Sequence, residues 1–216
     1  EHVVEGYYEE AAADDERLVH VPILKINYPM KIIGAGRDKT FIVGGSFRIG
    51  GMRLRRYKRR GRKKREKNDK NKLELKGMTV RNTSLSGLIS AGNNRCLSFL
   101  CDSVTFTQCG ESGVWVANNG RGRLINCLIT QCGSSGILCS NGGLIELEGN
   151  QTRVEGNVTS GRSTQYGLES CQTSSKIHLL FPLTKESVST NNCNGQNYCS
   201  RLGGGPIQTV QSFPER

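Results

Sequence analysis

Short apolar runs separated by Gly- and Asn-rich turns recur along this chain, and an apolar residue is repeatedly followed seven places later by glycine. Val80 leads to Gly87, Phe106 to Gly113 and Ile129 to Gly136; Val154 to Gly161 and Val188 to Gly195 are fainter copies. The steps between these anchors are 26, 23, 25 and 34 residues. The two strongest copies share TQCGxSG, at 107–113 and 130–136. Two places before the first three anchors stand Met78, Val104 and Cys127, which are expected to face inward. After each of the first three glycines comes a short apolar strand, at Leu88, at Val114 with Val116, and at Ile137. A polar turn follows each strand: Gly92-Asn93-Asn94, Asn118-Asn119-Gly120 and Asn141-Gly142-Gly143.

One such unit is too small to bury its own apolar face, so neighbouring units must stack. Stacking pairs each strand in parallel with its equivalent about 4.8 Å away. Gly and Asn suit corners that need positive φ. A period in the twenties predicts three-sided coils, and the LxxLxLxxN pattern of a leucine-rich repeat is absent. The N-terminal portion fits the same plan, with short strands around Val19–Ile26, Lys31–Gly36 and Thr40–Ile49. The apolar stretches Ile177–Leu183 and Pro206–Phe213 are expected to finish the stack. The expected fold is all-β, a single parallel β-helix of six or seven coils with an inserted basic loop.

The segments PMKIIGAGRDKTFIVGG (29–45), LKGMTVRN (75–82), GRLINCLITQCGSSGI (122–137) and IHLLFPLTKESVS (177–189) resemble the right-handed parallel β-helix proteins of the pectin-lyase-like superfamily. The likeness covers most of the chain outside 1–17 and 53–72. More narrowly, the chain is similar to β-helix repeat proteins of eukaryotic algae. The resemblance implies a right-handed solenoid and no established activity.

Charge changes the picture at one place. The net charge is +11, and residues 53–72 hold 13 Lys/Arg against Glu66 and Asp69, so that segment alone carries +11. Residues 1–17 carry seven acids and one Arg. A like-charged block repels itself and has no apolar surface to bury. The chain therefore reads as an acidic segment, 1–17, and a β-helix domain, 18–216, interrupted by a disordered basic loop at 53–72. Arg55, Arg56, Lys58, Arg59, Arg60, Arg62, Lys63, Lys64 and Arg65 are the candidate polyanion-binding residues. Nucleic acid, acidic polysaccharide or an anionic surface would bind there without sequence preference and with steep salt dependence. RRYKRRGRKKR also looks like a nuclear-localisation signal.

No window of 18 apolar residues occurs, so no membrane span is expected. No signal-peptide pattern opens the chain. An intracellular compartment, cytoplasmic or nuclear, is favoured, and with it reduced thiols. The nine cysteines are odd in number and match no zinc spacing. Cys109 and Cys132 occupy the same place in adjacent coils, close enough for a disulfide; a stacked pair of thiols is the simpler expectation. Sequons stand at Asn82, Asn150 and Asn157.

Catalytic signals are sparse. Gly34-Ala-Gly36-Arg-Asp-Lys39-Thr40 superficially resembles a phosphate loop, but Asp38 stands where glycine must precede the lysine. The superfamily resemblance would imply, for a lyase, clustered acids for calcium with a catalytic Arg, and for a hydrolase paired carboxylates. No Asp-Asp pair lies in the repeats, and the only histidines are His2, His20 and His178, the last read as structural. Glu146 and Glu148 alternate along a strand and share one face; a solvated face is the expected reading. Arg121 and Arg123 flank Gly122 and read as a surface strand edge. Trp115, between Val114 and Val116, should point outward, where it could stack on a sugar ring or a base. These five are the candidate ligand-face residues. No catalytic residue, metal or cofactor is expected. The leading expectation is a non-enzymatic binding or scaffold module with a protein or polysaccharide partner on one face of the β-helix. The alternatives are a pectin-lyase-like enzyme and a non-specific polyanion binder.

Overall fold

The computed structural model describes residues 8–9, 21–50, 73–92, 97–172 and 174–212. The basic segment 53–72, with all nine of its candidate residues, lies outside the described residues, as does most of the acidic segment. Along the chain the strands are β1 (Tyr8–Glu9), β2 (Val21–Ile26), β3 (Met30–Ile33), β4 (Phe41–Val43), β5 (Ser46–Ile49) and β6 (Leu73–Arg81). Next come β7 (Leu88–Ala91), β8 (Phe99–Thr107), β9 (Val114–Ala117), β10 (Arg121–Ile125), β11 (Leu128–Thr130), β12 (Ile137–Ser140) and β13 (Leu144–Glu148). The last are β14 (Arg153–Glu155), β15 (Leu168–Cys171), β16 (Lys176–Leu180), β17 (Ser189–Thr190), β18 (Tyr198–Arg201) and β19 (Ile207–Val210). The one α-helix among the described residues, α1 (Lys185–Val188), is a single turn.

The architecture is all-β and β-solenoid-like. The strands form an 8-stranded sheet, β1-β2-β5-β7-β9-β12-β15-β18, and an 11-stranded sheet holding the rest. Among the described residues every pairing is parallel except that of β1 with β2. The register sets like on like in columns. Leu75, Cys101, Leu124, Leu147 and Leu179 follow one another across the long sheet, and so do Val80, Phe106, Ile129 and Val154. Leu88, Val114, Ile137 and Leu168 do so across the short one. All of these are buried. Each such side chain contributes about 1.5–3 kcal/mol by leaving water, and each does so only because the strands on both sides cover it.

The corners explain the repeated TQCGxSG. Gln108 (φ 53) and Gln131 (φ 55) adopt the left-handed conformation that turns the chain. The next residue then points inward, and its side chain donates to the carbonyl two places back. Cys109 reaches Thr107 O at 3.8 Å, Cys132 reaches Thr130 O at 3.5 Å, and Asn157 Nδ2 reaches Glu155 O at 3.1 Å. Asn192 completes the ladder, with Nδ2 on Thr190 O at 3.1 Å. Asn157 also receives the Cys132 amide at 3.1 Å, and Asn192 receives the Asn157 amide at 3.0 Å, so the corners are pinned to one another. Gly133 follows because a Cβ there would sit 2.3 Å from Gly110 O.

One glycine and one anchor of the sequence pattern need correction. Ile137 takes its amide partner from Gly167, not Gly161, because residues 159–166 form an insertion at that corner. Val154 pairs with Ser189, not Val188, because α1 shifts the last copy by one place. The eight described cysteines are free thiols. Burial pushes the Cys127 thiol up to about 12, which leaves it protonated and inert.

Candidate functional site

The outward side chains of the long sheet form charged columns. Register places Leu100, Arg123, Glu146, His178 and Gln208 in one of them. Gly122 pairs with Ile145, so Arg121 and Arg123 both point outward beside Glu146. Arg121 Nε donates to Glu146 Oε1 at 3.1 Å, and its Nη2 donates to the same oxygen. Arg123 Nε donates to Oε2 at 3.1 Å, and its Nη2 lies 3.0 Å from that oxygen. The carboxylate is therefore engaged on both oxygens, one guanidinium on each, through charge-assisted contacts. Glu146 is fully buried and Arg121 nearly so, whereas Arg123 is partly exposed.

This overturns the expected solvated face for Glu146 and the expected surface strand edge for Arg121. Alternation along β13 correctly puts Glu146 and Glu148 on one side, but only Glu148, half-buried at the strand end, meets solvent. The two carboxylates do not form an acid/base pair, because Glu146 is committed to its arginines. Toward the N-terminal end the same face carries Lys31 beside Glu74 at 3.7 Å and Lys76 beside Asp102 at 2.8 Å. Opposite charges in successive repeats thus tie neighbouring strands together. The Lys76–Asp102 contact holds the Asp102 carboxyl below its usual range.

His178 completes the cluster, a place at this site that sequence reasoning did not assign to it. Both ring nitrogens are buried without a hydrogen-bond partner. Burial lowers its pKa, the cations Lys176 and Arg121 lower it further, and Glu146 opposes them. The imidazole is therefore neutral near pH 7. The unfolded chain binds this proton more readily than the folded one, so His178 leaves stability intact above the unfolded pKa of about 6.5. It removes stability as pH falls through the lower, folded value. We expect urea midpoints of wild type to fall faster than those of His178→Gln between pH 7.5 and 5. Parallel pH profiles would remove this assignment.

The outer face of the short sheet carries a different column: Arg48, Ile89, Trp115, Leu138, Glu169 and Cys199. Trp115 alternates with buried Val114 and Val116 and is partly exposed on this face. Its indole Nε1 donates to Ser140 Oγ at 2.9 Å, which fixes the ring. Glu169 is a second buried carboxylate, which the sequence did not reveal. Arg201 Nε donates to Oε1 at 2.7 Å and Ser135 Oγ to Oε2 at 2.5 Å. Ser135 lies 34 residues before it, across the insertion at 159–166, and Arg201 lies 32 residues after it, across the α1 turn, so neither pairing shows in the spacing.

Asn157 is buried, and its amide nitrogen donates to Ile129 O at 3.0 Å, so that sequon is spent on the corner ladder. Asn82 and Asn150 are exposed. Among the described residues no group of three or more His, Cys, Asp and Glu is placed to hold a metal ion, and no helix is long and apolar enough to cross a membrane. Comparison with family models, curated proteins and solved structures finds no match.

Proposed function

We propose that the chain is a non-enzymatic binding module built on a right-handed parallel β-helix of the pectin-lyase-like kind. The strands group naturally into seven successive coils: β2-β3-β4, β5-β6, β7-β8, β9-β10-β11, β12-β13-β14, β15-β16-β17 and β18-β19. The partner is a carbohydrate or protein surface laid over the short sheet at Trp115. One observation carries the reading: Trp115 is partly exposed on a parallel sheet while its N–H is held by Ser140. An aromatic ring oriented before binding loses little freedom on contact, which suits it to stacking. The acidic residues on the other face point away from catalysis, since Glu146 is engaged by Arg121 and Arg123.

Trp115 is the only tryptophan, so its emission reports this face alone. Titration with neutral and acidic oligosaccharides should shift or quench that emission saturably. Trp115→Ala should weaken binding by about tenfold or more, equivalent to ~1.4 kcal/mol, with an unchanged far-UV spectrum. Binding that leaves both emission and the Ala variant unaffected would place the ligand elsewhere.

A second reading rests on the 13 Lys/Arg of 53–72, which fall between β5 and β6 where other repeats turn in as few as three residues, as at 118–120 and 141–143. A labelled oligonucleotide, tested against the intact chain and a 53–72 deletion across a salt series, separates the two. Affinity that vanishes with the deletion and falls steeply with salt belongs to the basic segment.

A further inference from the structure

Exposed apolar side chains are not scattered over this molecule. Among the described residues, every large apolar side chain that is strongly exposed lies within 28–43 or 181–202. The described residues between, whose strands are paired on both sides, have none. At one end, β3 and β4 pair only with β6 among the described residues. At the other, β19 pairs only with β16 among the described residues. Ile33 is 63% exposed and Val43 57%. Within β19 the core-facing position Thr209 is exposed, and a cleft of ≈ 360 Å³ opens beside Ile207, lined also by Tyr198 and Lys185. A strand edge with free N–H and C=O groups and apolar side chains is a template for another strand.

The register shows which strand fits. The column that begins at Met30 runs through Leu73, Phe99, Gly122, Ile145 and Ile177 to Ile207. If it continued into a second copy, Met30 would come next again. The same extrapolation sets Thr209 before Ile32 and Val210 before Ile33. The remaining neighbours are Gln208 and Lys31, which do not repel. Both strands have four residues. We propose that β19 of one copy pairs in parallel with β3 of the next, so that the chain associates head to tail through its long sheet. The short sheet does not take part in the same way, because the start of β2 is already paired with β1. The contact is heterologous and leaves a free edge at each end of a dimer, so it permits growth into short stacks.

Two charge variants test this by sedimentation velocity on the full chain. Wild type should show a weight-average mass that climbs with concentration to at least double that of one chain. Ile33→Lys and Val210→Glu alter outward positions at opposite ends and should each stay monomeric, with far-UV spectra like wild type. The decisive arm is mixing. An equimolar mixture of the two variants should associate again, because the new positive charge on β3 of one copy then meets the new negative charge on β19 of the other, while the untouched ends still fit. The double variant Ile33→Lys/Val210→Glu should associate alone for the same reason. A wild type that remains monomeric overturns the proposal. So does association abolished by only one of the two substitutions, which would mean like ends meet like. Failure of the mixture to associate overturns it too.

Discussion

Replacing Glu146 by Gln is expected to cost about 3–5 kcal/mol of stability, the loss typical of breaking a buried ion pair by removing one partner. The change is isosteric, so packing is not the cause. In the native protein two guanidiniums converge on one carboxylate, Arg121 on Oε1 and Arg123 on Oε2. The amide nitrogen of Gln would turn two donors toward an arginine that itself only donates. It would also remove the negative charge that both guanidiniums face, in a place where Glu146 has no contact with water. The thermal midpoint should fall on the order of 10 °C for a chain of this length. High salt should not restore it, since screening acts weakly on buried charges. Asp102→Asn is the control. Its partner Lys76 is 58% exposed, so the effect should be small and should fade as salt rises. Thermal and urea unfolding of the two variants at low and high salt make the comparison. A Gln variant as stable as wild type would mean that the carboxylate is not the keystone of this face and is available for chemistry.

The same residue shows what the sequence can and cannot reveal. Alternation along β13 places Glu146 outward, and outward ordinarily means solvated; burial came from neighbours on another strand. The signal was present in the spacing. Arg123 precedes Glu146 by 23 residues, the same step that separates the anchors Phe106 and Ile129, so the two side chains had to stack in one column. Where the repeat is regular, between about 75 and 155, strands, corners and core columns follow from TQCGxSG and its flanking apolar positions. Where an insertion or a helical turn enters, spacing no longer carries register. That is why the pattern points to Gly161 where the fold uses Gly167, and to Val188 where it uses Ser189. Glu169 with Arg201 fell in that irregular stretch and stayed hidden. Trp115 could be oriented from alternation alone, but its hydrogen bond to Ser140 depends on the pairing of β9 with β12.

The column through Gly122 yields the second large effect, and its sign depends on a neighbour. Gly122 lies within the buried part of β10, between Phe99 on one side and Ile145 on the other. A Cβ added there would stand 1.9 Å from Phe99 Cζ and 2.2 Å from Cε1, so the ring fills the space that a side chain would need. Phe99 is completely buried and has nowhere to swing. Gly122→Ala should therefore destabilise by about 2–3 kcal/mol through overpacking. Phe99→Ala alone should cost about 3–5 kcal/mol, from lost burial and the cavity left behind. In the Phe99→Ala background the first effect should reverse. The added methyl then enters empty space, and alanine restricts the unfolded chain more than glycine does, a gain of about 0.4–1 kcal/mol. Urea unfolding of the four proteins closes the cycle, with a coupling of roughly 3 kcal/mol, at the upper end for touching residues. Additive losses would mean that the ring does not occupy the glycine's space. The reversal would show that Phe99 and Gly122 act as one packing unit shared between adjacent repeats, so that neither strand's sequence can change without the other's.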